Sequence, residues 1–397
     1  MKKIITIVGG PVPQKLDPVL NIVPTGNGKL ADSIATELES DFIIERVGNF
    51  PKGFPMNFEE LEKLVQSLKS DVTIFMPHLP NFLVDYQEDK ISVENGDSGE
   101  IKIHPAPKLV RQIKRRNPET LLIPFKIARE KMSKVEIVRW MLDLRAAIAV
   151  YSRIGESKKF FIIDALGNET PVSKEKLPFE LQKKLEHYLK AVRRRTIHKK
   201  VLTPKVKHLE KLVTFSKKMQ PAFSQLIEKN VSSGRWPGNM SLRDHKPFRC
   251  THGFISTKAS DGFLITRRNV KKTGLREQDF VFVSLELENG KIPFYGSKNS
   301  KPSIDAPVHR VIYEQLPWVN SIIHGHLHIS GDVVHKDLLQ HWPCGAENEG
   351  YDIVKVAPTF HQKLWIANVK GHGFVALIGD KDPAAALDKL SRLDYSF

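Results

Sequence analysis

The sequence predicts an α/β protein of two domains, the first built on a doubly wound parallel sheet. Three observations lead there. The chain has 397 residues, more than one ordinary core needs and about right for two. Strand-like and helix-like segments alternate through the first half, and after Thr203-Pro204 that rhythm gives way to short strands between loops rich in Gly, Pro and Asn. Hydrophobic residues make up 41% and charged residues 27%, the balance of a folded globular protein rather than a disordered one.

Ile4–Val8 is a β-branched run ending at Gly9-Gly10 and reads as the first strand. Lys29–Leu38 has helical spacing, Phe42–Val47 is strand-like, and Asn57–Leu68 places Leu61, Leu64, Val65 and Leu68 on one helical stripe. Val72–Met76, Leu121–Phe125 and Ala147–Tyr151 follow as strands, with helices at Pro107–Arg115 and Lys134–Leu144 between them. Helices between consecutive strands force parallel pairing with right-handed crossovers. Such a sheet binds ligands beyond the carboxyl ends of its strands, where Gly9-Gly10 falls. A helix over Lys176–Arg195 runs into the break at Thr203-Pro204, so the domains are expected to span 1–200 and 205–397. In the second, the pattern gives a helix from Leu209 to about Asn230 and another at Ala306–Leu316. Strands are expected at Gly262–Thr266, Phe280–Leu285, Ser321–Ile323 and Gly373–Ile378.

Charge narrows the partners. The net charge is +16, and much of the excess lies between Glu180 and Lys218, where thirteen Lys and Arg face three Glu. No aromatic residues alternate with these cations to stack bases, so a solvated face is expected there and a nucleic-acid partner is not. No apolar run approaches the roughly 18 residues of a membrane span. The apolar stretch at the start is too short for a signal peptide. Two cysteines, Cys250 and Cys344, exclude a disulfide framework and fit a reducing compartment, so a cytoplasmic protein is expected.

Ser321-Ile322-Ile323-His324-Gly325-His326-Leu327-His328 is the most informative string. On an extended chain His324 and His326 point to the same side, and the apolar run before them ends a buried strand that can hold them rigid. Two imidazoles are thus offered to one ion. Zinc or another borderline divalent metal needs a third nitrogen or carboxylate and one open position for chemistry.

The surroundings carry a resemblance. Gly238-Asn239-Met240-Ser241, Asp261-Gly262-Phe263-Leu264-Ile265-Thr266, Lys301-Pro302-Ser303-Ile304-Asp305-Ala306-Pro307-Val308-His309, Pro343-Cys344-Gly345-Ala346-Glu347 and Lys370-Gly371-His372-Gly373 occur in the order of the class II aldolase/adducin family. Over about 215–394 the chain resembles that family, which implies a class II aldolase-like α/β domain. It further implies His324, His326 and His372 as metal ligands and Asp305 as the catalytic carboxylate, usually a glutamate. Gly238, Asn239, Thr266, Arg268 and Ser303 fall on substrate-contacting positions. Cleaving a carbon–carbon bond beside a carbonyl leaves an enolate, whose charge a divalent cation stabilises while a carboxylate moves the proton. Arg267-Arg268-Asn269 stands where phosphate-binding members continue with Pro-Ser-Gly, so anion recognition either moves to the arginines or is lost. Gly371 replaces the family's asparagine before the third histidine. His328, His335 and His361 match no ligand position and are expected in surface or core roles.

The first half carries a second resemblance. Ile7-Val8-Gly9-Gly10-Pro11-Val12-Pro13, Leu16-Asp17-Pro18-Val19 and Gly26-Asn27-Gly28-Lys29-Leu30-Ala31 look like the opening of phosphopantothenoylcysteine synthetase. Asp89-Lys90-Ile91, Pro107-Lys108-Leu109-Val110 and Leu121-Leu122-Ile123-Pro124-Phe125-Lys126 resemble its later stretches. The resemblance covers roughly 1–190 and implies a Rossmann-like domain that binds a nucleotide triphosphate with magnesium. Gly9, Gly10, Asp17, Gly28, Lys29 and Lys90 are its candidate nucleotide or phosphate contacts. Leu20 and Pro24 replace the family's arginine and asparagine. Trp140-Met141-Leu142-Asp143-Leu144-Arg145 stands where a lysine-rich loop shields phosphates.

Together these readings give a metal-dependent lyase acting on a small hydroxy-carbonyl compound, with or without a phosphate, fused to a ligase-like domain. The family resemblance implies a homo-oligomer, commonly a tetramer. Two other readings stay open. One is phosphopantothenate–cysteine ligation in the first domain; the other is an idle adducin-like module whose basic stretch docks an acidic partner.

Overall fold

The computed structural model describes residues 2–15, 21–22, 27–51, 56–80, 82–85, 102–117, 119–128, 132–153, 159–192, 197–200, 239–244, 249–252, 255–258, 262–268, 270, 279–296, 300–339 and 342–396. The chain divides into two compact units, Met1–Leu189 and Lys190–Phe397. No helix among the described residues is long and apolar enough to cross a membrane. The expected helix at 209–230 and all of the basic stretch beyond residue 200 lie outside the described residues.

In the first unit the elements run β1 (Ile4–Pro11), α1 (Lys29–Leu38), β2 (Ile43–Gly48), α2 (Phe58–Ser67), β3 (Val72–His78), α3 (Leu109–Arg116), β4 (Leu121–Ala128), α4 (Lys134–Asp143), β5 (Ile148–Arg153), β6 (Lys159–Asp164), β7 (Glu169–Ser173) and α5 (Leu177–Ala191). Their sheet has the order β2-β1-β3-β4-β5-β6-β7. The pairs from β2 to β5 are parallel, and β5-β6 and β6-β7 are antiparallel. This is a doubly wound Rossmann-like sheet whose order reverses at β1, extended by a hairpin absent from the sequence reading. Asp164 sets that hairpin, its Oδ1 accepting the backbone N–H groups of Leu166 and Asn168 at 3.0 and 2.9 Å.

Helices α2, α3 and α4 bury Leu61, Val65, Leu109, Ile113, Ile137 and Met141 with Val8, Phe75, Leu122 and Ala149 of the strands. Gly9, next to Val8, points to the opposite face, where a Cβ would fall 2.5 Å from the Ala31 Cβ of α1. The chain therefore enters α1 close against the end of β1. Capping boxes start α2 at Asn57 and Glu60, and α4 at Ser133 and Glu136.

In the second unit the elements are β8 (Ile197–Lys200), β9 (Asn239–Asp244), β10 (Gly262–Thr266), β11 (Phe280–Ser284), β12 (Ile292–Tyr295), α6 (Ala306–Gln315), β13 (Ser321–Gly325), β14 (Lys336–Leu339), α7 (Glu347–Val356), β15 (Leu364–Lys370), β16 (Gly373–Ile378) and α8 (Ala384–Ser391). The sheet has the order β8-β12-β11-β10-β9-β13-β16-β15-β14. Its outermost pairs, β8-β12 and β14-β15, are parallel, and the pairs between them antiparallel.

Alternation along these strands feeds two cores. Leu264, Phe282, Ile323, Phe374 and Ala376 pack with Leu387 and Leu390 of α8 on one face. Phe263, Val281, Ile322, Val375 and Leu377 pack with Val308 and Ile312 of α6 and Ile353 of α7 on the other. Each fully buried Leu or Ile contributes roughly 2 kcal/mol. With both faces covered, β10, β13 and β16 are buried at every position, and apolar residues dominate each of them. β8, β9, β12, β14 and β15 were not among the expected strands. The two edges, β8 and β14, are short and carry lysines, as edge strands do, so neither reads as a strand in isolation.

Candidate metal centre

The site grows from neighbouring strands and one helix start. Asn239 on β9 pairs across the sheet with His324 on β13, and His324 pairs with Val375 on β16. β13 ends at Gly325, and His326 follows in the bend beyond it. His372 sits in the short turn of the β15-β16 hairpin, where Val369 faces Gly373 and the His372 N–H donates to the Val369 carbonyl at 2.9 Å. Gly373 closes that turn at φ 151°, and a Cβ there would lie 1.8 Å from the Gly325 carbonyl oxygen. This close approach brings the third histidine beside the first two. Asp305 occupies the N-cap position of α6, with Pro307 fixing the first turn behind it.

These residues converge. One donor atom from each of Asp305, His324, His326 and His372 lies within 4.8 Å of the others, and all four residues are buried. Ring centroids are 4.9 Å apart for His324–His326, 4.5 Å for His324–His372 and 5.3 Å for His326–His372. His324 Nδ1 donates to the Phe374 carbonyl at 2.8 Å, which leaves the Nε2 lone pair facing the cluster. That Nε2 is buried without a hydrogen-bond partner, as are Asp305 Oδ1 and Asn239 Oδ1. Asp305 Oδ2 accepts a hydrogen bond from Asn239 Nδ2 at 2.8 Å.

The electrostatics point the same way. Burial pushes the His324 imidazole down to about 3, so at neutral pH it is an uncharged ring with a free lone pair. Burial acts on His372 in the same sense, but the Glu349 carboxylate and the Cys344 sulfur outweigh it and raise this ring well above the ordinary histidine range. Negative potential that holds a proton on His372 equally favours a divalent cation in its place. Orphaned buried acceptors, a nitrogen-rich donor set and negative surroundings fit a divalent metal of the zinc type.

Other predicted residues take recognisable places. The Thr266 carbonyl accepts the Ser303 N–H at 3.0 Å, and the Arg268 N–H donates to the Lys301 carbonyl at 2.9 Å, so the Lys301–Asp305 loop lies along the end of β10. Ser241 joins a buried chain, its Oγ 2.6 Å from His309 Nδ1 and 2.9 Å from the Tyr313 hydroxyl. His328 contacts the Val369 carbonyl at 3.3 Å, and His335 Nδ1 accepts the Ile366 N–H at 3.1 Å. Gly238 lies outside the described residues.

Two contacts escaped sequence reasoning. Glu349 Oε2 accepts from His372 Nδ1 at 2.9 Å, and Cys344 Sγ lies 3.4 Å from His372 Nε2. Twenty-odd residues separate each from its histidine, so no local spacing announces the pairing. The one available signal was an acidic pair, Glu347 and Glu349, at a helix start that is buried rather than solvated.

In the first unit, the candidate phosphate contacts split. Gly9, Gly10, Gly28 and Lys29 meet at the carboxyl end of β1, where Gly28 is the left-handed N-cap of α1 at φ 68°. A Cβ on Gly10 would meet the Asn49 carbonyl oxygen at 1.8 Å, and one on Gly28 would meet the same oxygen at 2.6 Å. Both glycines are thus required by close chain packing. Asp17 and Lys90 lie outside the described residues.

Comparison with known proteins finds different relatives for different parts of the chain. A profile described as Class II Aldolase and Adducin N-terminal domain matches residues 218–397. A 77-residue segment, 19% of the chain, is 36% identical to a methylthioribulose-1-phosphate dehydratase of Microcystis aeruginosa and covers 36% of that protein. Another segment of 149 residues, 34% of the chain, is 23% identical to the coenzyme A biosynthesis bifunctional protein CoaBC of Thermococcus kodakarensis and covers 36% of it. The chain thus spans about a third of the length of each of these curated relatives. Among solved structures, the DNA/pantothenate metabolism flavoprotein from Streptococcus pneumoniae aligns at TM-score 0.40 and 18% identity over 47% of this chain and 100% of that one. The chain is a fused two-domain protein, its N-terminal half similar to CoaBC and its C-terminal region matched by the class II aldolase and adducin family.

Proposed function

We propose that the second unit is a metal-dependent lyase of the aldolase type, acting on a small hydroxy-carbonyl substrate. The observation that carries this reading is the buried set of Asp305, His324, His326 and His372, whose donor atoms lie within 4.8 Å of one another. A divalent cation held there supplies positive charge to adjacent carbonyl and hydroxyl oxygens of the substrate. His324 presents Nε2 because its Nδ1 donates to Phe374, and the donation of His372 Nδ1 to Glu349 leaves its Nε2, beside the Cys344 sulfur, for the ion. Asn239 steadies Asp305 through Oδ2 and leaves Oδ1 to take a proton from the substrate hydroxyl. Thr266, Ser303 and Arg268, at the end of β10 and the loop beside it, are the proposed substrate contacts.

The likeness to a methylthioribulose-1-phosphate dehydratase supports a second outcome from the same donors, loss of water in place of carbon–carbon cleavage. For the first unit, the convergence of Gly9, Gly10, Gly28 and Lys29 supports retained nucleotide binding. Assembly into an oligomer belongs to the same proposal.

Elemental analysis of purified protein, followed by a cleavage screen over hydroxy-ketones and sugar phosphates, tests the lyase. One equivalent of divalent metal, lost in His324→Ala and His372→Ala together with cleavage, is the expected result. A metal-free protein of ordinary stability that cleaves nothing would leave the idle module as the better reading.

A further inference from the structure

Helix α7 begins without a side-chain cap at Ala346, yet its first turn carries two buried acids, Glu347 and Glu349. Residues two apart on a helix leave it in different directions, so the two acids serve different partners. Glu347 Oε1 accepts from Arg310 Nη2 at 3.2 Å, and both side chains are 2% exposed. Arg310 is itself fixed within α6, its Nη1 donating to the Leu285 carbonyl at 3.1 Å and lying 3.1 Å from Glu314 Oε2. Gly350, one residue after Glu349, lets the two helices approach closely. A Cβ there would stand 2.9 Å from the Val308 carbonyl oxygen and 2.9 Å from the Val311 Cβ. The start of α7 is therefore clamped to α6 on one side while Glu349 reaches His372 on the other, at 2.9 Å and 4% exposure.

We propose that Glu349 is the positioning carboxylate of His372, fixing the ring as its Nδ1–H tautomer and aiming Nε2 into the donor cluster, with the Arg310–Glu347 pair holding the helix turn that carries it. The inference rests on the metal-centre reading above. His372 sits in a turn flanked by Gly371 and Gly373, both at positive φ, so the two residues that bracket it bring no side chains to brace the ring. A carboxylate on the ring nitrogen remote from the cation supplies that brace and raises the basicity of the other nitrogen.

Cobalt(II) is a suitable probe because its visible absorption reports ligand geometry independently of turnover. In the full-length protein, titration against a competing chelator is expected to give Glu349→Leu an affinity about 10- to 100-fold below that of the parent chain, with altered visible bands. Glu349→Gln, whose amide oxygen still accepts from Nδ1, recovers most of the loss. Parent protein that binds no cobalt overturns the metal centre and this inference with it. Parent protein that binds cobalt, with Glu349→Leu binding within twofold and showing the same bands, overturns the inference alone. If the leucine variant does not fold, nitrogen NMR of the zinc-loaded parent decides. A proton on Nδ1 of His372 supports the assignment, and a proton on Nε2 overturns it.

Discussion

His309 shows how one buried residue governs a solution property. Its ring is 2% exposed, bonded through Nδ1 to Ser241 and stacked at 6.4 Å from Phe263. Burial pushes it down to about 3, against 6.5 for a free histidine. Between those values the unfolded chain takes up a proton that the folded protein refuses, so the contribution is intact above pH 6.5 and lost as pH falls toward 3. This residue alone is expected to cost about 1.4 kcal/mol of stability per pH unit across that window. Urea unfolding at pH 6, 5 and 4 checks it: His309→Gln should lose stability less steeply than the parent by about one proton's worth, and parallel slopes would refute the account. The histidine's place in the Lys301–His309 string was legible in the sequence, but its hydroxyl partner 68 residues away was not.

Among the elements, those with a strong local signature were readable and those defined by distant pairing were not. α1, β10 and β16 fall on the expected spans because period and burial agree within each segment. β1 runs on to Pro11, past the expected end at Val8, because Gly9, Gly10 and Pro11 continue the parallel ladder with β3. The β6-β7 hairpin, with Phe and Ile confined to β6, is an antiparallel extension with no helix between its strands, so it falls outside the alternation of strand and helix that signals the parallel sheet. Helix starts offer a measurable check. Asn57 accepts the Glu60 N–H at 2.9 Å, and Glu60 accepts the Asn57 N–H at 2.9 Å. Asn57→Ala is expected to lower the stability of the first unit by about 1 kcal/mol in chemical denaturation while leaving cobalt binding by the second unit unchanged.

For the molecule as a whole, the division into two compact units sets the expectation for ligand effects. Calorimetry is expected to resolve two transitions. Cobalt at about 100 times its dissociation constant should raise the second unit's transition by the equivalent of about 2.7 kcal/mol. A nucleoside triphosphate with magnesium should raise only the other. A single transition moved by both ligands would contradict independent units. The three clustered histidines were visible because two share one strand end and the third precedes a strand of six buried residues. Asp305 was visible through its motif, whereas Glu349 behind His372 and the Arg310–Glu347 pair beside it emerge only where α6 and α7 pack together.

The turn closed by Gly373 has a kinetic consequence. Its backbone meets that of Gly325 only after β13 and β16 have zipped together, and those strands lie some fifty positions apart along the chain. The three imidazoles cannot assemble before that ladder is complete. During refolding with cobalt present, visible colour should therefore emerge late, after far-ultraviolet dichroism has recovered, making the ion a stopwatch for closure of the central sheet.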